Sequence, residues 1–294
     1  MTERLGFIGL GLMGTPIAEK LLDAGYALTV WGRSPQKLES ILKRGATAAA
    51  SPRALAEASD VILLCVTDTS AVEAVVFGSD GIAASADAAG KTLIDHSSIR
   101  PEASRDFAER LKAACGMDWL DAPVSGGPAG VARGSLVVMA GGEAKAFEMV
   151  QGIVSAYAAR FTLMGSSGAG QATKLINQTL AGVNFAVVAE ATQLALEAGI
   201  DAARIPEALA GGSADSMVLQ EYMPKMVARD FEPAGTVSVI LKDRETVAEL
   251  AQKTGTAMPI TKLVTELHRL LVAKGHGDED NAALIRLYDK AASS

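Results

Sequence analysis

Short apolar runs alternate with segments of helical periodicity over roughly the first half of the chain. The apolar runs are four to six residues long and are bounded by polar residues or glycine, as is typical of buried strands. They are Leu5–Gly9, Ala27–Trp31, Val61–Val66, Lys91–Asp95, Trp119–Ala122 and Leu136–Ala140. Helical segments at Pro16–Ala24, Ser34–Arg44 and Pro101–Cys115 separate some of these runs. The alternation predicts an α/β domain with a parallel sheet covered by helices on both faces.

The pattern changes at a glycine- and serine-rich stretch that spans residues 165–170. Only helical periodicity follows it, beginning with a long segment at Gln171–Ala198. Later helices are predicted at Ala202–Ala210, Ser216–Val227, Ser238–Thr254, Ile260–Lys274 and Ala282–Ala291. We therefore expect a Rossmann-type domain over residues 1–165 and an all-helical domain over residues 166–294.

The long segment Gln171–Ala198 carries apolar residues on most of its faces. A helix of this kind lies inside a domain or at a subunit interface, because water disfavours so large an apolar surface. The helical domain is too small to cover the whole helix, so we expect a homodimer or homotetramer whose C-terminal helices pack between subunits.

Composition narrows the functional classes. The net charge of −7 gives no electrostatic basis for binding nucleic acid or an anionic membrane, and no apolar stretch reaches the length of a membrane span. The two cysteines, Cys65 and Cys115, form no CxxC motif and no Cys/His cluster, so we expect reduced thiols, a cytoplasmic protein and no metal site. Of the three histidines, His96 is expected to be structural, and His268 and His276 to face solvent.

A G-x-G-x-x-G motif joins the first predicted strand to the first helix. Its six residues are Gly9, Leu10, Gly11, Leu12, Met13 and Gly14. In this setting the first glycine permits a tight turn, the second lets the backbone approach a pyrophosphate, and the third lets helix and strand pack closely. The motif predicts a dinucleotide site.

The end of the second predicted strand indicates which dinucleotide binds. A carboxylate here would accept hydrogen bonds from the ribose hydroxyls of NAD(H), but the chain has Gly32 at this point. Arg33 and Ser34 follow, with Lys37 one helical turn further on, and these side chains can bind a 2′-phosphate. The sequence therefore favours NADP(H), with NAD(H) as the alternative.

Four motifs, in order along the chain, resemble those of the β-hydroxyacid dehydrogenase family. The first is the glycine motif, and the second is Asp121-Ala-Pro-Val-Ser-Gly-Gly127, which resembles a substrate-binding signature. The third, Gly168-Ala-Gly-Gln-Ala-Thr-Lys-Leu-Ile-Asn-Gln178, resembles a catalytic segment, and the fourth is Leu241-Lys-Asp243. The resemblance covers essentially the whole chain and implies the same two-domain arrangement.

The resemblance also implies roles for individual residues. Lys174 matches the catalytic lysine, and Asn177 matches a neighbour that helps to hold the substrate. The loop that binds the substrate carboxylate corresponds to Ser125, Gly126 and Gly127. Ser98 matches a cofactor-side position near the nicotinamide, and Lys242 matches a position close to both the cofactor and the substrate. Val66 and Thr67 lie at the end of the third predicted strand, where relatives contact the cofactor. The sequence here, Leu64-Cys-Val-Thr-Asp68, differs from the Met-Leu-Pro that is common in relatives.

The chemistry of Lys174 agrees with this role. Hydride transfer to a carbonyl carbon requires a proton donor for the oxygen, and a lysine ammonium can supply that proton while stabilising the developing charge. We expect NADPH-dependent reduction of a small carboxylate-bearing semialdehyde, first of all tartronate semialdehyde to glycerate, or oxidation of the matching 3-hydroxyacid. Succinic semialdehyde or glyoxylate reduction and 3-hydroxyisobutyrate oxidation are the alternatives within the family. A non-catalytic NADP-binding protein is the alternative from another class.

Overall fold

The structure is a computed structural model that describes residues 3–86 and 88–289. The chain divides into two compact units, and the division falls after Lys174, within a long helix. This is nine residues beyond the boundary expected from the glycine-rich stretch. The reason is local, because the first turns of that helix are hydrogen-bonded to the N-terminal unit through Asp121.

In the described part of the N-terminal unit, nine strands form one sheet. They are β1 (Arg4–Ile8), β2 (Ala27–Trp31), β3 (Thr47–Ala48), β4 (Val61–Leu64), β5 (Thr92–Asp95), β6 (Asp118–Asp121), β7 (Val124–Ser125), β8 (Val137–Gly141) and β9 (Arg160–Gly165). The order is β3-β2-β1-β4-β5-β6-β8-β7, with β9 paired to β8. The first six strands have the order of a doubly wound dinucleotide-binding fold, and the order reverses between β1 and β4.

The predicted parallel sheet is confirmed for most of its strands, and antiparallel pairing is found at one edge. Pairing is parallel from β3 through β6, but β8 runs antiparallel to both β6 and β7. The connection from β6 to β8 contains the two-residue strand β7 and one short helix, and β8 returns antiparallel beside both strands.

Seven helices of the N-terminal unit lie along its described residues. They are α1 (Gly14–Asp23), α2 (Glu39–Lys43), α3 (Pro52–Ala58), α4 (Thr69–Phe77), α5 (Pro101–Cys115), α6 (Gly127–Ala132) and α7 (Ala144–Val154). The segment predicted as one helix over Ser34–Arg44 is instead a 3₁₀ turn, Pro35–Lys37, followed by α2. Proline fixes the first turn there, and the chain bends before α2 begins.

The strands of the sheet are apolar on both faces because helices cover both. Along β1, Leu5 and Phe7 belong to one buried cluster and Ile8 to the other. Along β4, Leu63 and Leu64 are divided between the two clusters in the same way. This alternation explains why the central strands appear as uninterrupted apolar runs in the sequence.

The long helix α8 (Ala169–Glu197) leads into the second unit, which is helical throughout its described residues. The other helices are α9 (Ile205–Leu209), α10 (Met217–Ala228), α11 (Val237–Thr254) and α12 (Pro259–Ala273). The helix predicted at Ala282–Ala291 is a 3₁₀ segment, Asn281–Tyr288, and the last residues of that prediction lie outside the described residues.

Several polar side chains are buried in this helical unit, and His268 and Arg244 are two of them. The expectation that His268 faces solvent is wrong, because the ring is fully buried and its Nδ1 donates to the carbonyl of Val264 at 2.8 Å. Burial lowers the pKa of His268 to about 4. Arg244 is also fully buried, beside Gly182, where an added Cβ would lie 1.0 Å from a guanidinium nitrogen. The missing side chain at Gly182 therefore makes room for the arginine.

Helix α8 presents an apolar stripe to solvent. The stripe consists of Ile176, Leu180, Val187 and Leu194, which are 61%, 64%, 54% and 70% exposed in the isolated chain. By length and composition alone α8 could cross a membrane, but central helices of soluble helical domains share that composition. The expectation that the chain has no membrane span stays a prediction.

Candidate active site

The three motif glycines occupy three different environments. Gly9 has φ 102°, and a Cβ there would lie 2.1 Å from the carbonyl oxygen of Cys65. A Cβ on Gly14 would lie 2.0 Å from the carbonyl oxygen of Gly9. A Cβ on Gly11 would meet no described atom within 4 Å. The first and third positions therefore need glycine for the fold, whereas the second leaves open space beside the backbone.

That open space belongs to a cavity of about 410 Å³ at the carboxyl ends of β1, β2 and β4. The cavity adjoins the point where the strand order reverses, which is where doubly wound folds bind their ligands. Most of the residues predicted to bind the cofactor line it, namely Gly9, Leu10, Gly11, Arg33, Ser34, Lys37, Val66 and Thr67. Leu12, Met13 and Gly14 adjoin the lining at the start of α1. Ser98 follows β5, and Lys242 lies on α11 in the second unit.

A further part of the cavity wall was not predicted from the sequence. It is formed by Pro52 at the start of α3, by small residues of α4 and by the turn after α4, including Asp80. Ala71 and Ala74 are one helical turn apart on α4, so their small side chains line the same wall. Small residues at helical spacing after a buried strand are the signal that could have revealed this wall.

The lining of the cavity carries groups that suit the phosphates of a nicotinamide dinucleotide. The unobstructed backbone at Gly11 can approach a pyrophosphate, and the α1 N-terminus carries no side-chain cap in the described structure. Arg33, Ser34 and Lys37 supply two cations and a hydroxyl to the same cavity. The residues present therefore suit NADP(H) chemically.

Two buried side chains at the end of β5, those of Asp95 and Ser97, connect neighbouring segments. Asp95 accepts a hydrogen bond from the backbone N–H of Ser97 at 2.9 Å, and the Ser97 hydroxyl accepts one from the N–H of Val66, also at 2.9 Å. Burial raises the pKa of Asp95 to about 7. The segment that carries Ser98 is thereby tied to the loop that lines the cavity.

His96 lies in the core of the N-terminal unit. Its Nδ1 faces the carbonyl of Ala122 at 2.6 Å and therefore donates, which leaves Nε2 to accept from the Tyr157 hydroxyl at 2.9 Å. Burial lowers the pKa of His96 to about 4, so the ring is neutral near pH 7. Both ring nitrogens are engaged within the fold, in agreement with the structural role expected for this histidine.

The segment Ser125-Gly126-Gly127 forms a sharp turn between β7 and α6. Gly126 has φ 124° and Gly127 has φ 61°, conformations that favour glycine at both positions. Just before this turn, the carbonyl oxygen of Val124 accepts a hydrogen bond from Nζ of Lys174 at 2.9 Å. The structure thus brings the predicted catalytic lysine to the start of the predicted carboxylate-binding loop.

A cluster of polar side chains lies within the helical unit, on α8 and α11. Gln178 donates from Nε2 to Asp243 Oδ2 at 2.7 Å, and Asn177 donates to Gln178 Oε1 at 3.0 Å. Lys242 Nζ lies 3.5 Å from Asp243 Oδ1. The structure therefore places the predicted substrate residues Asn177 and Lys242 in one network, joined by Gln178 and Asp243.

The chain is similar to known oxidoreductases over its whole length. Residues 4–165 match the family described as the NAD binding domain of 6-phosphogluconate dehydrogenase, and residues 168–288 match the NAD-binding domain of NADP-dependent 3-hydroxyisobutyrate dehydrogenase. The chain is 37% identical to 2-hydroxy-3-oxopropionate reductase of Escherichia coli, covering 99% of this chain and 98% of that one. It is 32% identical to NAD-dependent L-serine dehydrogenase of Pseudomonas aeruginosa, covering 98% of each.

The chain is also similar to solved structures of such oxidoreductases. The crystal structure of 3-hydroxyisobutyrate dehydrogenase from Salmonella typhimurium superimposes with a TM-score of 0.87 at 31% identity, covering 97% of this chain and 99% of that one. Fold and sequence together define a nicotinamide-dependent oxidoreductase with a Rossmann domain and a helical domain. The chain belongs to the β-hydroxyacid dehydrogenase family, whose members are 3-hydroxyacid dehydrogenases and semialdehyde reductases.

Proposed function

We propose that this enzyme uses NADPH to reduce a small semialdehyde that carries a carboxylate, with Lys174 as the proton donor. The observation that carries the proposal is the 2.9 Å hydrogen bond from Lys174 Nζ to Val124, directly before the Ser125–Gly127 turn. A lysine held beside a turn of this kind can protonate the carbonyl oxygen of a substrate whose carboxylate the turn binds.

The reaction balances with the groups available. The bound nicotinamide cofactor supplies a hydride to the aldehyde carbon. Lys174 gives a proton to the aldehyde oxygen, so that the substrate becomes an alcohol, and solvent returns a proton to the lysine. Ser125, Gly126 and Gly127 hold the substrate carboxylate. By the family resemblance, Asn177 and Lys242 are the other proposed substrate-binding residues. In the reverse direction Lys174 accepts the hydroxyl proton of a 3-hydroxyacid.

Tartronate semialdehyde, which gives glycerate, is the first candidate substrate. The 37% identity to 2-hydroxy-3-oxopropionate reductase supports it. Succinic semialdehyde, glyoxylate and 3-hydroxyisobutyrate are the alternatives, and the similarity to 3-hydroxyisobutyrate dehydrogenase supports the last of these.

NADP(H) is the proposed cofactor, with NAD(H) as the alternative. The support is local, since Arg33, Ser34 and Lys37 line the cavity. One relative is named NAD-dependent L-serine dehydrogenase, so the family also includes enzymes that use NAD.

We further propose a cytoplasmic homodimer or homotetramer. The apolar stripe on α8 supports a second copy as its partner, because its large side chains at heptad-like spacing are exposed in the single chain. Multi-angle light scattering tests this proposal, and a monomer at micromolar concentration would contradict it.

Turnover with a panel of carbonyl substrates tests the proposed reaction. The purified enzyme is assayed with NADPH and with NADH against tartronate semialdehyde, succinic semialdehyde, glyoxylate and methylmalonate semialdehyde. We expect kcat/KM to be highest for tartronate semialdehyde with NADPH. A uniform lack of turnover would refute the proposal, and a higher value for another substrate would replace the first candidate.

A further inference from the structure

The side-chain amide of Gln171 holds the backbone on both sides of Ser98. Its Nε2 donates to the carbonyl oxygen of Ser97 at 2.7 Å, and its Oε1 accepts from the N–H of Ile99 at 3.2 Å. Gln171 is only 1% exposed, so both hydrogen bonds are shielded from water. One planar amide therefore fixes a three-residue segment in the way that a neighbouring strand would.

The backbone of Gln171 is fixed as well. Its N–H donates to Asp121 Oδ2 at 2.9 Å, while the N–H of Gly168 donates to Oδ1 at 2.7 Å. Close packing leaves no freedom here, because a Cβ on Gly170 would lie 2.5 Å from a carbonyl oxygen of β8. The first turn of α8 is thus attached to the end of β6 and, through Gln171, to the segment after β5.

Gln171 precedes Lys174 by three residues on α8, so the two side chains leave the same face of the helix. Any shift of the first turn would move Lys174 relative to Ser98 and to Val124, whose carbonyl the lysine contacts. A displacement of about 1 Å at a reacting group can lower a rate about 100-fold.

We propose that Gln171 is a positioning residue, whose side-chain amide sets Lys174 relative to the Ser97–Ile99 segment. The inference rests on the proposed role of Lys174 as proton donor. Gln171 itself contacts neither substrate nor cofactor in this scheme, and acts through the two segments that it joins.

The sharpest test replaces the amide by a carboxyl group in Gln171→Glu. As a neutral acid this group can donate to Ser97 and accept from Ile99, but as a carboxylate it cannot donate. Two acids are nearby, since Asp121 accepts from the Gln171 N–H and Asp95 from the Ser97 N–H. The nearby cations are Lys174, one helical turn further along α8, and Arg105, whose guanidinium lies beside Gly168. His96 is neutral above about pH 4. We expect the ratio of variant to wild-type kcat to fall about 10-fold or more between about pH 5 and pH 8. A ratio constant within about 2-fold would overturn the proposal, because a purely structural role predicts no such dependence.

Gln171→Met removes both hydrogen bonds at similar volume. We expect kcat to fall about 10- to 100-fold, while the NADPH dissociation constant changes less than about 3-fold. The matched control is Gln193→Met, on the same helix, where the amide bonds only to Glu197 in the described structure. A folded Gln171→Met enzyme with kcat within about 2-fold of wild type would contradict the role. If this variant does not fold, Gln171→Glu carries the test.

A readout that does not need turnover separates this inference from the proposed reaction. A water-soluble succinimidyl ester acylates exposed amines, and mass spectrometry gives the rate at Lys174 relative to exposed Lys145 in the same sample. We expect that ratio to change at least about 3-fold in Gln171→Met and to stay constant in Gln193→Met. A wild-type enzyme that turns over no substrate would refute the proposed function. An unchanged labelling ratio in Gln171→Met would overturn the positioning role, whatever the result of the turnover assay.

Discussion

Lys174 donates a hydrogen bond from Nζ to the carbonyl oxygen of Val124 at 2.9 Å, which joins the start of α8 to the residue before the Ser125–Gly127 turn. The lysine is fifty residues distant in sequence from its acceptor. The contact holds the amine at a defined place, and a defined place is what a proton donor needs.

Lys174→Met should abolish most of the reductase activity. We expect kcat to fall about 100- to 10,000-fold, because the variant keeps an unbranched side chain, one atom shorter, but has no proton to give. NADPH affinity, measured by fluorescence titration, should be unchanged within about 3-fold. Lys145→Met on the exposed face of α7 is the control and should behave as wild type. A loss of less than about 10-fold would show that another group supplies the proton.

Arg33→Ser should weaken NADPH selectively. A charge-assisted contact to the 2′-phosphate contributes about 1.5–3 kcal/mol, so we expect KM for NADPH to rise about 10- to 100-fold. KM for NADH should change less than about 3-fold, since NADH has no such phosphate. Steady-state kinetics with both cofactors measures the effect, and Arg160→Ser on exposed Arg160 is the control. Equal effects on KM for the two cofactors would show that Arg33 does not bind the 2′-phosphate.

Part of the lining of the cavity could be predicted from the sequence because its signals are local. The glycine motif predicts a dinucleotide site, and the Arg33–Lys37 segment predicts 2′-phosphate binding, each from a few consecutive residues. Helix α5 was likewise predicted residue for residue, because Pro101 begins it and Gly116, with φ 76°, ends it.

The remaining parts depend on contacts between distant segments. Gln171 meets residues more than seventy positions away, and Gln178 meets Asp243 across sixty-five. Buried His268 was misassigned because a lone histidine within a helical pattern does not reveal which face packs inward. The short helices α3 and α4 were also missed, although Ser51 and Asp68 cap their N-termini.

Gly11→Ala and Gly14→Ala should separate cofactor binding from folding. A methyl group on Gly11 meets open space, so we expect the free energy of unfolding to change by less than about 0.5 kcal/mol while the NADPH dissociation constant rises about 10-fold or more. A methyl group on Gly14 meets the Gly9 carbonyl, so we expect a loss of about 1–3 kcal/mol. Urea unfolding and NADPH titration measure the two effects.

Gly152→Ala is the matched control for this pair, because a Cβ on Gly152 in α7 also meets open space, away from the cavity. It should leave cofactor affinity unchanged. Normal affinity in Gly11→Ala would mean that the pyrophosphate does not approach the backbone there.

Asp95→Asn should change how stability depends on pH. Burial raises the pKa of Asp95 from 3.8 to about 7. Between about pH 4 and pH 7 the folded protein therefore binds more protons at this site than the unfolded chain does, and the site lowers stability as pH rises through that window. Asparagine does not titrate, and its Oδ1 can keep the hydrogen bond that Ser97 donates.

We therefore expect the stability of Asp95→Asn relative to wild type to increase by on the order of 2 kcal/mol between about pH 5 and pH 8. Urea unfolding at the two pH values measures the change. Burial lowers the pKa of His96 from 6.5 to about 4, so this histidine lowers the stability of the protein as pH falls below about 6.5. That effect is the same in the wild type and in Asp95→Asn. Asp278→Asn, at an exposed carboxylate, is the control and should show no pH-dependent difference. A flat difference for Asp95→Asn as well would mean that Asp95 is ionised in the folded protein at both pH values, with a pKa close to that of an exposed aspartate.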